Sequence, residues 1–280
     1  MIRPFSSLFF GALLGVLLGA LSAVAGADAH SPQGIATHLA VKGERPRTPP
    51  PDWDGQVEYT LGVAAKALRW PDDQPLRLCF MQVDPELNGE VAEIFQHWAA
   101  FVGLEIHRVG ACRHEAAADV RVTYLSEGNW AIIGAAARQV GFPRPTVGFE
   151  ALWRELSAEG ELSERGRGLV THEFFHVLGL LHEHQHPDAD CLAQIDLEAF
   201  QRLYGWSRAE AEFNLRAIER YSNDAFGEIT LTEYDSASLM HYALSPQVFR
   251  DGVSAECLVE ERHAPSPGDL RTLRALYAAP

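Results

Sequence analysis

Leu76, Leu78 and Phe80 alternate with Arg77 and Cys79, the period of a half-buried strand. Leu87, Val91, Ile94, Trp98 and Phe101 then recur every three or four residues, which predicts one apolar helix face ending at Gly103. Leu104 to Val109 and Val120 to Leu125 read as further strands; in the second, Val120, Val122 and Tyr124 alternate with Arg121 and Thr123. The Ala- and Gly-rich run from Trp130 to Phe149, interrupted by Pro143 and Pro145, predicts a loop and then a short strand at a sheet edge. A second helix is expected where Ser163 can cap, Glu164 occupies the first turn, and Leu169, Val170 and Val177 are apolar. Strands with one helix, a second helix and then irregular sequence fit an α+β architecture in two lobes.

The N-terminus lies outside that pattern. Residues 4 to 27 carry no charge and follow a single Arg3, Leu8 to Val24 is apolar, and Ala25-Gly26-Ala27 or Ala27-Asp28-Ala29 offers a small-x-small cleavage pattern. Residues 1–29 are therefore expected to be an export signal, with an uncleaved anchor as the competing reading, since about 18 apolar residues can span a bilayer. The glycines at 11, 15, 19 and 26 favour cleavage, and with it a secreted or periplasmic protein without stable membrane association. Residues 30–58, with Pro46 and Pro49 to Pro51 beside Arg45 and Arg47, read as a linker or short pro-segment, leaving 59–280 as one domain.

Export lets Cys79, Cys112, Cys191 and Cys257 pair. Of the three possible connectivities, 79–112 with 191–257 is favoured because each pair lies within one half of the chain; buried free thiols are the alternative. With 23 Lys and Arg against 38 Asp and Glu, the formal charge is −15, which argues against nucleic acid or anionic membrane as a partner. A 280-residue chain that is 47% hydrophobic has ample material for a core.

The chemistry is concentrated in Thr171-His172-Glu173-Phe174-Phe175-His176-Val177-Leu178-Gly179-Leu180-Leu181-His182-Glu183. On a helix His172 and His176 lie one turn apart on one face and can share an ion. Glu173 sits on a neighbouring flank, where it can reach a water at that ion without being a ligand, as a general base must. A left-handed Gly179 would stop the helix and return the chain so that His182 supplies a third ligand. Three neutral imidazoles with one position open describe a catalytic zinc site, although copper or cobalt could replace zinc in vitro. His184 and His186 fit the spacing less well than His182. His97 and His107 read as ordinary surface or core residues, and His30, His38, His114 and His263 have no metal-like spacing.

This long motif resembles the signature of the metzincin zinc endopeptidases. Ser238-Leu239-Met240-His241-Tyr242, preceded by Tyr234-Asp235, resembles the methionine turn of their astacin branch, and Glu183 after the third histidine is similarly astacin-like. His182 to Asp190 resembles the segment that continues the motif, with His186 where that family usually has arginine; Ser266-Pro267-Gly268-Asp269-Leu270 resembles its closing helix. The resemblance spans roughly residues 70 to 280 and is firmest at the histidines. It implies a two-lobed domain with a twisted mixed sheet and an active-site helix, one Zn2+, and hydrolysis of internal bonds in protein or peptide substrates. It also implies that Met240 lies beneath the metal as a hydrophobic base and that Tyr242 is a switchable fifth ligand which stabilises the oxyanion; a phenol can do both. In the family the glutamate matching Glu183 interacts with the mature N-terminus, and a pro-segment aspartate can bind the zinc, which makes Asp54 a candidate for that latency switch. The edge strand expected within Ile132 to Phe149 would bind substrate in extended form. Two rival readings keep the same ligands: a secreted zinc-binding module without catalysis, and a zinc hydrolase for a non-peptide substrate.

Overall fold

The computed structural model describes residues 59–60, 64, 68–113, 118–218, 229–230, 232–250 and 255–278. The expected signal at 1–29, the expected linker at 30–58 and Asp54 lie outside the described residues. A short strand β1 (Tyr59–Thr60) precedes β2 (Leu76–Phe80), the alternating run. Helix α1 (Pro85–Phe101) begins where Asp84 accepts the Leu87 N–H at 3.0 Å and Pro85 occupies the first helical position. Its stripe of Leu87, Val91, Ile94, Phe95 and Ala99 is buried, and the chain turns at Gly103, whose φ of +79° a side chain would resist.

Strands β3 (Ile106–Ala111), β4 (Val120–Thr123), β5 (Leu125–Ala131) and β6 (Val147–Glu150) complete a five-stranded sheet in the order β3-β2-β4-β6-β5. β2 runs parallel to β3 and β4, β4 runs parallel to β6, and β5 is antiparallel, so the sheet is mixed. Helix α2 (Glu164–Val177) packs on α1: Phe95 stacks on Phe174 with centroids 4.2 Å apart, and Trp98 meets Phe175 edge-on at 5.1 Å.

Two expectations are corrected here. The strand that ends the Trp130 to Phe149 run is not at an edge: β6 is paired on both sides, and the edges are β3 and, next to β6, β5, which begins before that run and includes Trp130. Gly148 explains why. It pairs with Trp130, and a Cβ there would lie 2.5 Å from the indole, so glycine lets β5 close over β6. The second correction concerns β4, whose four residues are all buried instead of alternating. Arg121 tolerates this because its guanidinium donates to the carbonyls of Ala118, Val140 and Arg144 at 2.9, 2.5 and 2.7 Å.

Beyond α2 the chain forms a lobe of short helices, α3 (Cys191–Gln194), α4 (Leu197–Tyr204) and α5 (Arg208–Leu215), followed by β7 (Ile229–Thr230), which pairs with β1, and α6 (Pro267–Tyr277), whose Leu273 and Leu276 return to the main core. This lobe has its own apolar core around Phe200, Trp206, Leu215, Tyr242 and Val248. Disulfides join Cys79 to Cys112 and Cys191 to Cys257, the pairing favoured from the sequence. Among the described residues no helix is long and apolar enough to cross a membrane.

Candidate metal centre

Ser163 caps α2 as expected, its hydroxyl accepting the Gly166 N–H at 3.0 Å. The helix presents His172 and His176 together, with ring centroids 4.9 Å apart. Gly179 then takes φ +107°, and its N–H donates to His176 O while that of Leu180 donates to Phe175 O, both at 2.9 Å. This closure returns the chain, so that the His182 ring lies 4.4 Å from that of His176 and 5.4 Å from that of His172. All three rings are buried, and one ring nitrogen from each lies within 4.8 Å of the others.

The outer nitrogens determine which atoms face inward. His172 Nδ1 is 2.9 Å from Leu239 O and His176 Nδ1 is 2.7 Å from Leu180 O. A carbonyl only accepts, so both Nδ1 atoms carry the proton and both Nε2 atoms are bases. His182 Nδ1 lies 3.3 Å from the Tyr242 hydroxyl, and its Nε2 is 3.0 Å from His176 Nε2. With the His182 proton on Nδ1, two lone pairs oppose each other at a separation close to the ~3.3 Å required by tetrahedral zinc with ~2.05 Å bonds. The nitrogen-only donor set thus fits zinc. Burial pushes the His176 pKa down to about 4, which keeps that imidazole neutral.

Glu173 is fully buried beside this cluster, and burial raises its pKa well above the usual carboxylate range. A divalent cation nearby opposes that shift and favours the carboxylate. The Tyr242 phenol is also raised, first by burial and then by the charge of Glu173.

The turn carrying Met240 is braced from α6. Ser266 and Asp269 form that helix's capping box; Asp269 also accepts from the Ser238 hydroxyl at 2.5 Å and from the Leu239 N–H at 2.9 Å. The turn so held presents Leu239 O to His172 and buries Met240 in the main core. Glu183, also buried, accepts the Asp235 N–H at 2.8 Å.

The remaining histidines stand elsewhere. His184 bonds through Nε2 to Asn214 O at 3.0 Å and stacks on Tyr242 at 4.1 Å, while His186 faces Thr232 O at 3.1 Å, so neither joins the three-histidine group. His97 and His107 lie on α1 and β3, away from it. The sequence reading missed the braces Leu239, Leu180 and Asp269, and the edge β5. The Ser-x-x-Asp capping box at Ser266 was the one local signal for Asp269; the carbonyls leave none, because any residue has one.

Comparison with known proteins agrees with this geometry. The model of the astacin family, peptidase family M12A, matches residues 146–277. Bone morphogenetic protein 1 of Xenopus laevis is 32% identical over 123 residues, covering 40% of this chain and 16% of that protein. Zinc metalloproteinase nas-3 of Caenorhabditis elegans is 30% identical over 112 residues, covering 40% of this chain and 29% of that protein. The matched region is thus a minor part of both curated relatives. In a solved structure of myroilysin the fold is shared, with a TM-score of 0.62 at 21% identity over 78% of this chain and 98% of that one.

Proposed function

We propose that this chain, astacin-like over residues 146–277, is an exported zinc metalloendopeptidase. The observation that carries the reading is the convergence of three buried imidazoles, two with their outer nitrogen fixed by a backbone carbonyl, beside a buried carboxyl. His172, His176 and His182 would hold the ion. When bound, zinc supplies a Lewis acid that polarises the scissile carbonyl and acidifies a water. Glu173 takes the proton from that water and delivers it to the departing amine nitrogen. The Tyr242 hydroxyl, which rests on His182, turns to donate a hydrogen bond to the oxyanion of the tetrahedral adduct. Met240 floors the site through packing alone. Substrate pairs in extended form with the open side of β5, in place of the strand first expected for that role. Two formed disulfides support an oxidising destination.

The test is metal content and cleavage of a quenched peptide by the wild type and Glu173→Gln. The variant should keep one zinc per chain and lose on the order of 10²–10⁴ in turnover. Near-normal turnover in Glu173→Gln would remove the assigned base.

A further inference from the structure

A second convergence of ligand-type side chains lies in the other lobe. Cys191, His241 and Cys257 are buried, and their ligating atoms lie within 4.8 Å of one another. In the oxidised protein the two sulfurs are bonded to each other. We propose that this group is a redox-gated metal site: once a dithiol reduces the Cys191–Cys257 bond, the two thiolates and the His241 imidazole take a zinc ion.

The histidine already has the tautomer that ligation needs. His241 Nδ1 lies 3.0 Å from Tyr242 O, which only accepts, so the proton is on Nδ1 and Nε2 presents its lone pair. That Nε2 receives the Tyr234 hydroxyl at 2.9 Å, and the same hydroxyl lies 3.9 Å from Cys257 Sγ. The phenol marks a fourth position beside two sulfurs and one nitrogen, the count and donor type of a tetrahedral zinc site. Zinc–sulfur bonds of ~2.3 Å put two thiolates about 3.8 Å apart. Rotation of the two side chains can supply that separation across Cα atoms 5.5 Å apart. Among the described residues the Cys79–Cys112 pair has no such third ligand, so the two disulfides differ in this respect.

The chemistry balances simply. The dithiol gives two electrons and two protons to the disulfide and becomes a cyclic disulfide itself; Zn2+ then displaces the two thiol protons to solvent. The metal bridge would close the same loop, of sequence separation 66, that the disulfide closes. It would also anchor His241, which stands between Met240 and Tyr242, and so steady that turn when the covalent bond is absent. None of this depends on the peptidase reading.

The experiment uses the whole exported chain, reduced anaerobically with excess dithiol, freed of reductant and titrated with Co2+. A thiolate-to-cobalt charge-transfer band reports sulfur ligation alone, because the three-histidine centre contains no sulfur. The expected result is that band in the reduced protein, absent from the oxidised protein, with one more metal ion bound per reduced chain. The band should survive in Cys79→Ser/Cys112→Ser and vanish in Cys191→Ser/Cys257→Ser. Any of three results overturns the proposal: a band that persists without Cys191 and Cys257, a bond that resists reduction while far-UV circular dichroism reports a folded chain, or unfolding on reduction that added metal does not reverse.

Discussion

Tyr242→Phe separates the contact that the Tyr242 hydroxyl makes with His182 from the oxyanion role proposed for it. The ring is fully buried in the core of the second lobe and stacks on His184, and phenylalanine preserves both contacts. What is lost is one 3.3 Å hydrogen bond with His182 Nδ1, and removing one partner of that buried pair costs about 1–3 kcal/mol of stability. If the hydroxyl also turns to the oxyanion, its removal takes away a transition-state donor, and kcat should fall by about 10²–10³, or about 3–4 kcal/mol. If it only orients His182, kcat at saturating zinc stays near wild type and zinc affinity falls by about 10–100-fold, the effect typical of an outer partner of a ligand. The assay is kcat and KM for a quenched peptide at fixed free zinc, alongside a zinc competition titration and urea unfolding. We expect the loss in kcat with KM nearly unchanged and the unfolding free energy lowered by no more than that hydrogen bond, about 1–3 kcal/mol. A kcat within about threefold of wild type refutes the oxyanion role.

Four further outcomes are expected. Glu173→Gln should bind zinc and lose turnover, as described above. Burial, opposed by the Asp235 N–H and reinforced by the charges of Asp269 and Asp235, pushes Glu183 from its ordinary 4.5 up to about 8. The stability due to that carboxyl is therefore full below pH 4.5 and is lost as pH rises through 8; Glu183→Gln should match the wild type at pH 5 and exceed it at pH 9, with a ceiling of about 5 kcal/mol. Parallel stability curves for the two proteins between those pH values would contradict the burial argument. Asp269→Asn leaves at least one of the Ser238, Leu239 and Ser266 donors facing an NH2 group, and should cost about 2–3 kcal/mol in urea unfolding and loosen zinc about tenfold through Leu239 and His172. Chelation should abolish cleavage and lower the thermal midpoint, and stoichiometric zinc should restore both; a midpoint indifferent to zinc would mean the histidines do not hold it in the folded state.

Much of the three-histidine cluster could be read from the chain because its parts are local. His172 and His176 are one helical turn apart, Gly179 needs only a positive φ to end the turn, and Ser163 caps its own helix, so residue type and spacing suffice. The cysteine pairing was similarly constrained, since each pair lies within one half of the chain. Strand order was not local. Whether β5 or β6 lies at the edge turns on the contact of Gly148 with Trp130 across the sheet, and the sequence there shows only a run of small residues that reads as a loop. Burial of Arg121 likewise depends on carbonyls from a loop about 20 residues away.

The donors that face the outer nitrogens, the brace from Asp269 and the placing of His241 against Cys191 and Cys257 are tertiary in the same sense. His172 meets a carbonyl 67 residues on, and Ser238 meets Asp269 31 residues on. Backbone carbonyls carry no residue signature, and proximity of side chains far apart in sequence exists only once the chain has folded. Residue type and spacing mark the side chains able to ligate and the ends of the helix that carries them, because those follow from periodicity and backbone sterics. Which nitrogen faces inward, which strand lies at an edge and which cysteines stand beside a histidine are set by packing, because each is a contact between segments that no local rule connects.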